Sequence, residues 1–226
     1  MKTTETNDPR TRLAQDLAIS VAGALREDLE QQERVILVLS GGSTPKPFMQ
    51  ALSVLELDWS RVDITLADER WVPTDHDDSN DRFVRTNMMI NAAANARFHP
   101  LVNDEQTPEA GAGEVGERLA GLAWPASVVV LGMGGDGHTA SLFPDSEQLN
   151  DGLESEAVVI AARAPSVGQP RISLTRDRLM QSRRRYLHLN GADKKSVLAQ
   201  AMAGSDRQEL PIRAFLDAPL ALYWAP

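Results

Sequence analysis

Val35-Ile-Leu-Val-Leu-Ser-Gly-Gly-Ser-Thr-Pro45 reads as a buried parallel strand entering a glycine turn. Five consecutive apolar residues without polar alternation suit a strand covered on both faces. Upstream, Leu13, Leu17, Val21, Leu25 and Leu29 recur every four residues with charges between them. That spacing predicts an amphipathic helix ending in the polar run Glu30–Arg34. Downstream, the Pro45 and Pro47 region starts a helix over Phe48–Leu55. The alternation continues with strands at Val62–Ala67 and Val128–Leu131 and helices at about Asp81–Ala94 and Thr107–Leu122. Later strands are expected at Ala157–Ala162, Arg171–Thr175 and Tyr186–Asn190, then a helix at Asp193–Met202 and a closing strand at Pro219–Trp224. Strands alternating with helices predict an α/β fold, a mostly parallel sheet with helices on both faces. Ligands of such sheets bind beyond the carboxyl ends of the strands.

The 226 residues show no repeat, low-complexity tract or long linker, so one domain spanning 1–226 is expected. The chain holds 23 Lys and Arg against 32 Asp and Glu, a net charge of −9, which disfavours nucleic acid and anionic membranes as partners. Any phosphate site must therefore be local. No cysteine is present, which removes disulfides, thiolate metal sites, iron–sulfur clusters and a cysteine nucleophile. No apolar run reaches the ~18–20 residues of a membrane span, and Met1–Arg12 lacks a signal-peptide core, so a cytoplasmic location is expected.

Three strand ends carry chemistry. In the first, Gly41 and Gly42 let backbone N–H groups approach an anion, Ser43 and Thr44 add hydroxyls, and the next helix offers its positive end. The same residues also suit an ordinary strand-to-helix turn, and Lys46 after Pro45 does not fit a Walker loop. In the second, Asp68-Glu-Arg70 follows a strand; Arg70 can hold an anion or an oxyanion, or the three can form a salt-bridged loop edge. The acidic stretch Asp75-His-Asp-Asp-Ser-Asn-Asp81 fails the EF-hand template, with Asn80 at the sixth position and Thr86 at the twelfth. It reads as a solvated loop capping the following helix, with His76 exposed.

The third strand end, Gly132-Met-Gly-Gly-Asp-Gly-His138, formally matches G-x-G-x-x-G. Asp136 would place a carboxylate against a dinucleotide's pyrophosphate, and Pro144 leaves little room for the helix that should hold it. The loop instead presents Asp136 and His138 two residues apart, a histidine suited to proton transfer and a carboxylate able to fix its tautomer. Ser141 lacks a nucleophile elbow, which favours activated water over an acyl-enzyme. Arg171, at a strand start, and Lys194 or Lys195, opening a helix after Asn190-Gly191, suit a phosphomonoester, though each is equally an ordinary surface cation. Arg183-Arg-Arg185 reads as a solvated strand edge.

Together, Leu39-Ser-Gly-Gly-Ser-Thr-Pro45, Asp68-Glu-Arg-Trp-Val-Pro73, Leu131-Gly-Met-Gly-Gly-Asp-Gly-His-Thr-Ala-Ser-Leu-Phe-Pro144, Arg171-Ile-Ser-Leu-Thr175 and Gly191-Ala-Asp-Lys194 resemble the 6-phosphogluconolactonase family in order along almost the whole chain. The glycine–histidine segment is the most specific of them. The resemblance implies a modified Rossmann-like sheet like that of glucosamine-6-phosphate deaminase. It also implies hydrolysis of 6-phospho-D-glucono-1,5-lactone in the pentose phosphate pathway without metal or cofactor, and no obligate protein partner. The deaminase pattern shares the glycine turn, Asp68 and Asp136-Gly-His138, but places a Glu five residues after its histidine, where this chain has Phe143. Many lactonases carry a strand before the first helix, which Met1–Arg12 does not suggest. On this reading the substrate phosphate rests on Gly41, Gly42, Ser43 and Thr44, with Arg171 and Lys194 opposite. His138, aligned by Asp136, activates water; Arg70 and the N–H groups of Gly134, Gly135 and Gly137 hold the oxyanion; Asp68 positions sugar hydroxyls or Arg70.

Overall fold

A computed structural model describes residues 8–226; the question of a strand before the first helix falls largely on residues 1–7, outside that range. Helix α1 (Pro9–Leu29) opens with Asp8, whose carboxylate accepts the N–H groups of Arg10 and Thr11, and with Pro9 in its first turn. Those are the acceptor and the pre-set φ that a helix start favours. Leu17, Val21, Leu25 and Leu29 of the four-residue repeat are buried against the sheet.

The next elements are β1 (Val35–Leu39), α2 (Lys46–Ser53), β2 (Val62–Leu66), β3 (Asp68–Arg70), α3 (Asn80–Asn87), β4 (Arg97–Phe98), α4 (Pro108–Ala120) and β5 (Ala126–Leu131). They are followed by α5 (Leu149–Glu154), β6 (Val159–Ala164), β7 (Val167–Leu174), α6 (Arg176–Met180), β8 (Ser182–Asn190), α7 (Ala192–Ala203), α8 (Arg213–Leu216) and β9 (Ala221–Ala225). Six strands form one parallel sheet in the order β4-β2-β1-β5-β8-β9. Every residue of β1, β2 and β5 is buried, which is why β1 and Val128–Leu131 of β5 read as continuous apolar runs, while β2 also buries Asp63 and Thr65.

Four expectations need correction. The strands expected at Ala157–Ala162 and Arg171–Thr175 do not join the parallel sheet. They form the hairpin β6–β7, which pairs antiparallel with β3 in a separate three-stranded sheet. Only Pro165 and Ser166 separate these strands, too short a link for a parallel crossover. Asp68-Glu-Arg70 is accordingly a strand rather than a loop. Arg183–Arg185 lie at the start of β8, paired with β5 but ahead of the β9 pairing that begins at Tyr186; Arg183 is exposed as expected, whereas Arg184 and Arg185 are half-buried and tied down. Arg184 donates to Asp28 and Glu27 of α1, and Arg185 to the carbonyls of Met180 and Ser182. Finally, the helix expected to reach Ala94 stops at Asn87, and a separate 3-10 turn covers Asn91–Asn95 with Asn91 at φ 53°.

Candidate active site

The carboxyl ends of β1, β5 and β8 meet the three-stranded sheet around a cavity of about 350 Å³. After β1, the Ser40 hydroxyl donates to the Val130 carbonyl and ties the glycine turn to β5. Gly41 has no room for a side chain, because a Cβ there would lie 1.9 Å from Asn80 Oδ1. Gly42 takes φ 94°, a conformation that favours glycine. The N–H groups of residues 41–44 donate to no backbone carbonyl among the described residues, and all four residues line the cavity.

The small sheet supplies charges by alternation. Asp68 and Arg70 are two apart on β3, so they share a face, and Arg70 pairs directly with Arg171 across β3–β7. Glu69 points the other way, is 1% exposed, and accepts the N–H groups of Asn80 and Asp81 at 2.8 and 2.6 Å, capping α3. Burial raises its pKa against the pull of those donors. Asp68 accepts the Ser141 hydroxyl at 2.5 Å and lies 3.8 Å from Arg171. Arg70 is held by the Asp78 carbonyl, so the expected alignment of Arg70 by Asp68 is replaced by an Asp68–Arg171 pair. Burial lowers the Arg171 pKa, and Asp68 opposes that shift. The Arg171 guanidinium also sits 5.6 Å over the Phe143 ring.

The loop after β5 is closed by Gly134 N donating to His138 O at 2.8 Å and Gly137 N donating to Gly134 O at 3.3 Å. His138 Nδ1 meets Asp136 Oδ1 at 2.6 Å, and the carboxylate also accepts the His138 N–H at 3.2 Å. An ionised carboxylate only accepts, so it holds the proton on Nδ1 and leaves Nε2 as the basic nitrogen. Burial raises the Asp136 pKa, but the His138 contacts outweigh it and the net shift is downward, keeping the carboxylate ionised. Gly134 is obligatory here, since a Cβ would fall 2.1 Å from His138 Nδ1. The imidazole packs on Phe143 with ring centres 4.3 Å apart.

Beyond β8, Gly191 at φ 96° turns the chain into α7. Lys194 lines the cavity, whereas Lys195 lies 4.3 Å over the Trp224 ring, which separates the two lysines the sequence left open. Of the residues singled out from sequence, Gly41, Gly42, Ser43, Thr44, Asp68, Arg70, Gly134, His138, Arg171 and Lys194 line one cavity. Asp136 stands behind His138, and Gly135 and Gly137 are outside the lining. Of the three amides expected to hold an oxyanion, those of Gly134 and Gly137 donate within their own turn, whereas the Gly135 N–H donates to no backbone carbonyl among the described residues. Asn80, Ser141, His188 and Asn190 were not anticipated. A polar pair at alternate positions ending an interior strand, His188 and Asn190, was the signal that could have found two of them.

The fold and site define an α/β protein with a glycine turn of backbone amides that donate to no backbone carbonyl among the described residues and an Asp–His pair at the carboxyl edge of a parallel sheet. The sequence pattern of the glucosamine-6-phosphate isomerases/6-phosphogluconolactonase family matches residues 8–224. The chain belongs to that family. It is 46% identical to a 6-phosphogluconolactonase of Rhizobium meliloti over 95% of this chain and 94% of the relative. It is 43% identical to a 6-phosphogluconolactonase of Pseudomonas putida over 100% of this chain and 93% of that one. The crystal structure of a 6-phosphogluconolactonase from Shewanella baltica superposes with a TM-score of 0.95 at 43% identity, covering 97% of this chain and 95% of the other.

Proposed function

We propose that this chain is a 6-phosphogluconolactonase that hydrolyses 6-phospho-D-glucono-1,5-lactone to 6-phospho-D-gluconate, with water activated by His138 and no covalent intermediate. The observation that carries the reading is the Asp136–His138 contact of 2.6 Å at a cavity lined by Arg171, Lys194 and the glycine turn, in a chain whose relatives carry that name. The phosphate rests on the free amides of the Gly41–Thr44 turn and the Ser43 and Thr44 hydroxyls, with Arg171 and Lys194 supplying positive charge. His138 Nε2 takes a proton from water as the water oxygen bonds to C1. The tetrahedral oxyanion is held by Arg70, a donor type worth ~2.7–4 kcal/mol elsewhere. The C1–O5 bond then breaks, and the imidazolium returns its proton to the ring oxygen, so one histidine serves as base and then acid. Asp68 holds Arg171 and a sugar hydroxyl.

The scheme requires neither metal nor cofactor, and we place it in the cytoplasm as a single-domain activity on a diffusible substrate, without nucleic-acid, membrane or obligate protein partner. Among the described residues no helix is long and apolar enough to cross a membrane. Phe143, packed on His138, supports lactone hydrolysis over deamination, because it offers no acid to open an aldose ring. A lactone-hydrolysis assay at low pH, where spontaneous opening is slow, run beside ammonia release from glucosamine 6-phosphate, tests the assignment. Activity confined to the second substrate overturns it.

A further inference from the structure

The β8 flank of the cavity carries two polar side chains that the reaction scheme leaves unused. His188 and Asn190 are two apart on β8 and so project on the same face of the strand, and both line the cavity. His188 is 4% exposed, and neither of its ring nitrogens has a hydrogen-bond partner. Asn190 Oδ1 is buried and unpartnered in the same way. The recorded aromatic neighbour of His188 is the edge-on ring of Phe48, 6.1 Å away, an apolar group that satisfies neither nitrogen. A buried polar atom without a partner costs stability, and leucine would fill a similar space without that cost. Packing therefore gives no reason for an imidazole at this position.

The chemistry offered is specific. Burial draws the His188 pKa down to about 4, so near neutrality the ring is uncharged and presents one N–H and one lone pair. Either nitrogen complements a hydroxyl group, which both donates and accepts, and because the two point apart each would meet a different hydroxyl. The lone pair has no partner on a phosphate dianion, whose oxygens only accept, and on the proposed reading the cavity serves that group with Lys194 and the glycine turn. Asn190 Oδ1, on the same strand face, adds a second unpartnered acceptor, and Gly191 next to it anchors the strand end by accepting the Trp224 indole N–H at 2.9 Å.

We propose that His188 and Asn190 form a hydroxyl-reading subsite that fixes the ring of the substrate through its secondary hydroxyls and so sets sugar specificity. The proposal rests on the lactonase reading, because a sugar-phosphate lactone carries the phosphate for one flank and the hydroxyls for the other. His188 acts on substrate orientation and takes no part in proton transfer.

The test is steady-state kinetics of the wild type, His188→Leu, His188→Gln and Asn190→Ala on 6-phosphogluconolactone and its 2-, 3- and 4-deoxy analogues. The wild type should lose roughly three- to tenfold in kcat/KM on at least one deoxy lactone, the range of one hydrogen bond. His188→Leu should show a similar loss on the parent lactone and no additional loss on that deoxy lactone, while His188→Gln keeps part of the discrimination. Asn190→Ala, at a less buried position, should flatten the penalty for an adjacent hydroxyl and gives an answer if the leucine variant does not fold. Deoxy penalties in the variants equal to those of the wild type overturn the subsite, whatever the absolute activity. A wild type that opens none of the lactones overturns the lactonase reading and the subsite together.

Discussion

His188 makes folding stability sensitive to acid in a way that can be isolated. Its ring is pulled from an ordinary pKa of 6.5 to about 4 by burial alone, with no neighbouring charge contributing. Above pH 6.5 the residue is neutral in both folded and unfolded chains and contributes no pH dependence. Below 6.5 the unfolded chain binds a proton that the folded chain refuses, so stability falls by about 1.36 kcal/mol per pH unit until the pH reaches about 4. At pH 4.5 the accumulated loss is about 2–3 kcal/mol, a large share of the ~5–15 kcal/mol that holds a typical domain together. Replacing His188 with leucine removes the site that titrates. Urea unfolding of the wild type and His188→Leu at pH 7.5 and 4.5 gives two stability differences, and the variant should gain about 2–3 kcal/mol relative to the wild type on going to the lower pH. Asp63, which is also buried, does not confuse the comparison. Its pKa is raised by burial but carried down to about 2 by His99 and Arg34, so its linkage lies below the window and is common to both proteins. Parallel loss of stability in the two proteins would refute the reasoning and show that the folded state accepts a proton at His188.

The remaining expectations concern catalysis and binding. His138→Ala should lower kcat by roughly 10²–10⁴-fold, and Asp136→Asn should lower it as well by unfixing the tautomer; near-wild-type turnover of His138→Ala rejects the general base. Lys194→Ala should raise KM with kcat largely kept, because a phosphate contact is similar in ground and transition states, whereas Lys195→Ala, stacked on Trp224, should leave KM unchanged. The opposite pattern would transfer the phosphate role to Lys195. Gly134→Ala should damage turnover to the same degree as loss of the Asp136 partner, since its Cβ would stand 2.1 Å from His138 Nδ1 and 2.4 Å from Asp136 Oδ1. A variant of this kind with wild-type kcat would mean the pair relaxes around the methyl group without consequence.

How legible the fold was depended on how each strand buries itself. β1 and β5 lie inside a parallel sheet, so their apolar runs are continuous and their loops follow directly. β3 is three charged residues long, and its alternation of Asp68 and Arg70 toward the cavity with Glu69 toward α3 has no hydrophobic signature to read. The arginines of β8 looked solvated because their acidic partners, Glu27 and Asp28, are more than 150 residues away on α1. The same distance problem hid the site's supporting contacts. Ser141 reaches Asp68 across 73 positions, and Asn80 fills the space that makes Gly41 a glycine. Residues sharing a loop, such as Asp136 and His138, could be paired from sequence; those joined only by the assembled sheets could not. His188 was missed for a further reason: a histidine inside an apolar strand reads as core until its nitrogens are found to have no partner.

Charge at the site runs against charge in the chain, and the contrast bears on turnover. The protein carries −9 overall, yet the charged residues lining the cavity are Asp68, Arg70, Arg171 and Lys194, three cations against one carboxylate. With a Debye length of ~8 Å the distant acidic surface is largely screened, and the near cations dominate what a phosphate senses. On the proposed reaction the ligand arrives with charge only on its phosphate and leaves with a new carboxylate at C1, formed beside His138 and the ionised Asp136 carboxylate behind it. Asp68 lies 3.8 Å from Arg171 in the same cavity, so on this reading the nascent carboxylate at C1, held by Arg70, meets a resident carboxylate that partly offsets the cations. On the proposed reaction the repulsion between these carboxylates disfavours the more anionic acid relative to the singly phosphorylated lactone, which favours product release. Removing the Asp68 charge removes its repulsion of the second carboxylate, so Asp68→Asn should tighten product inhibition relative to substrate binding; an unchanged ratio of product Ki to KM refutes this.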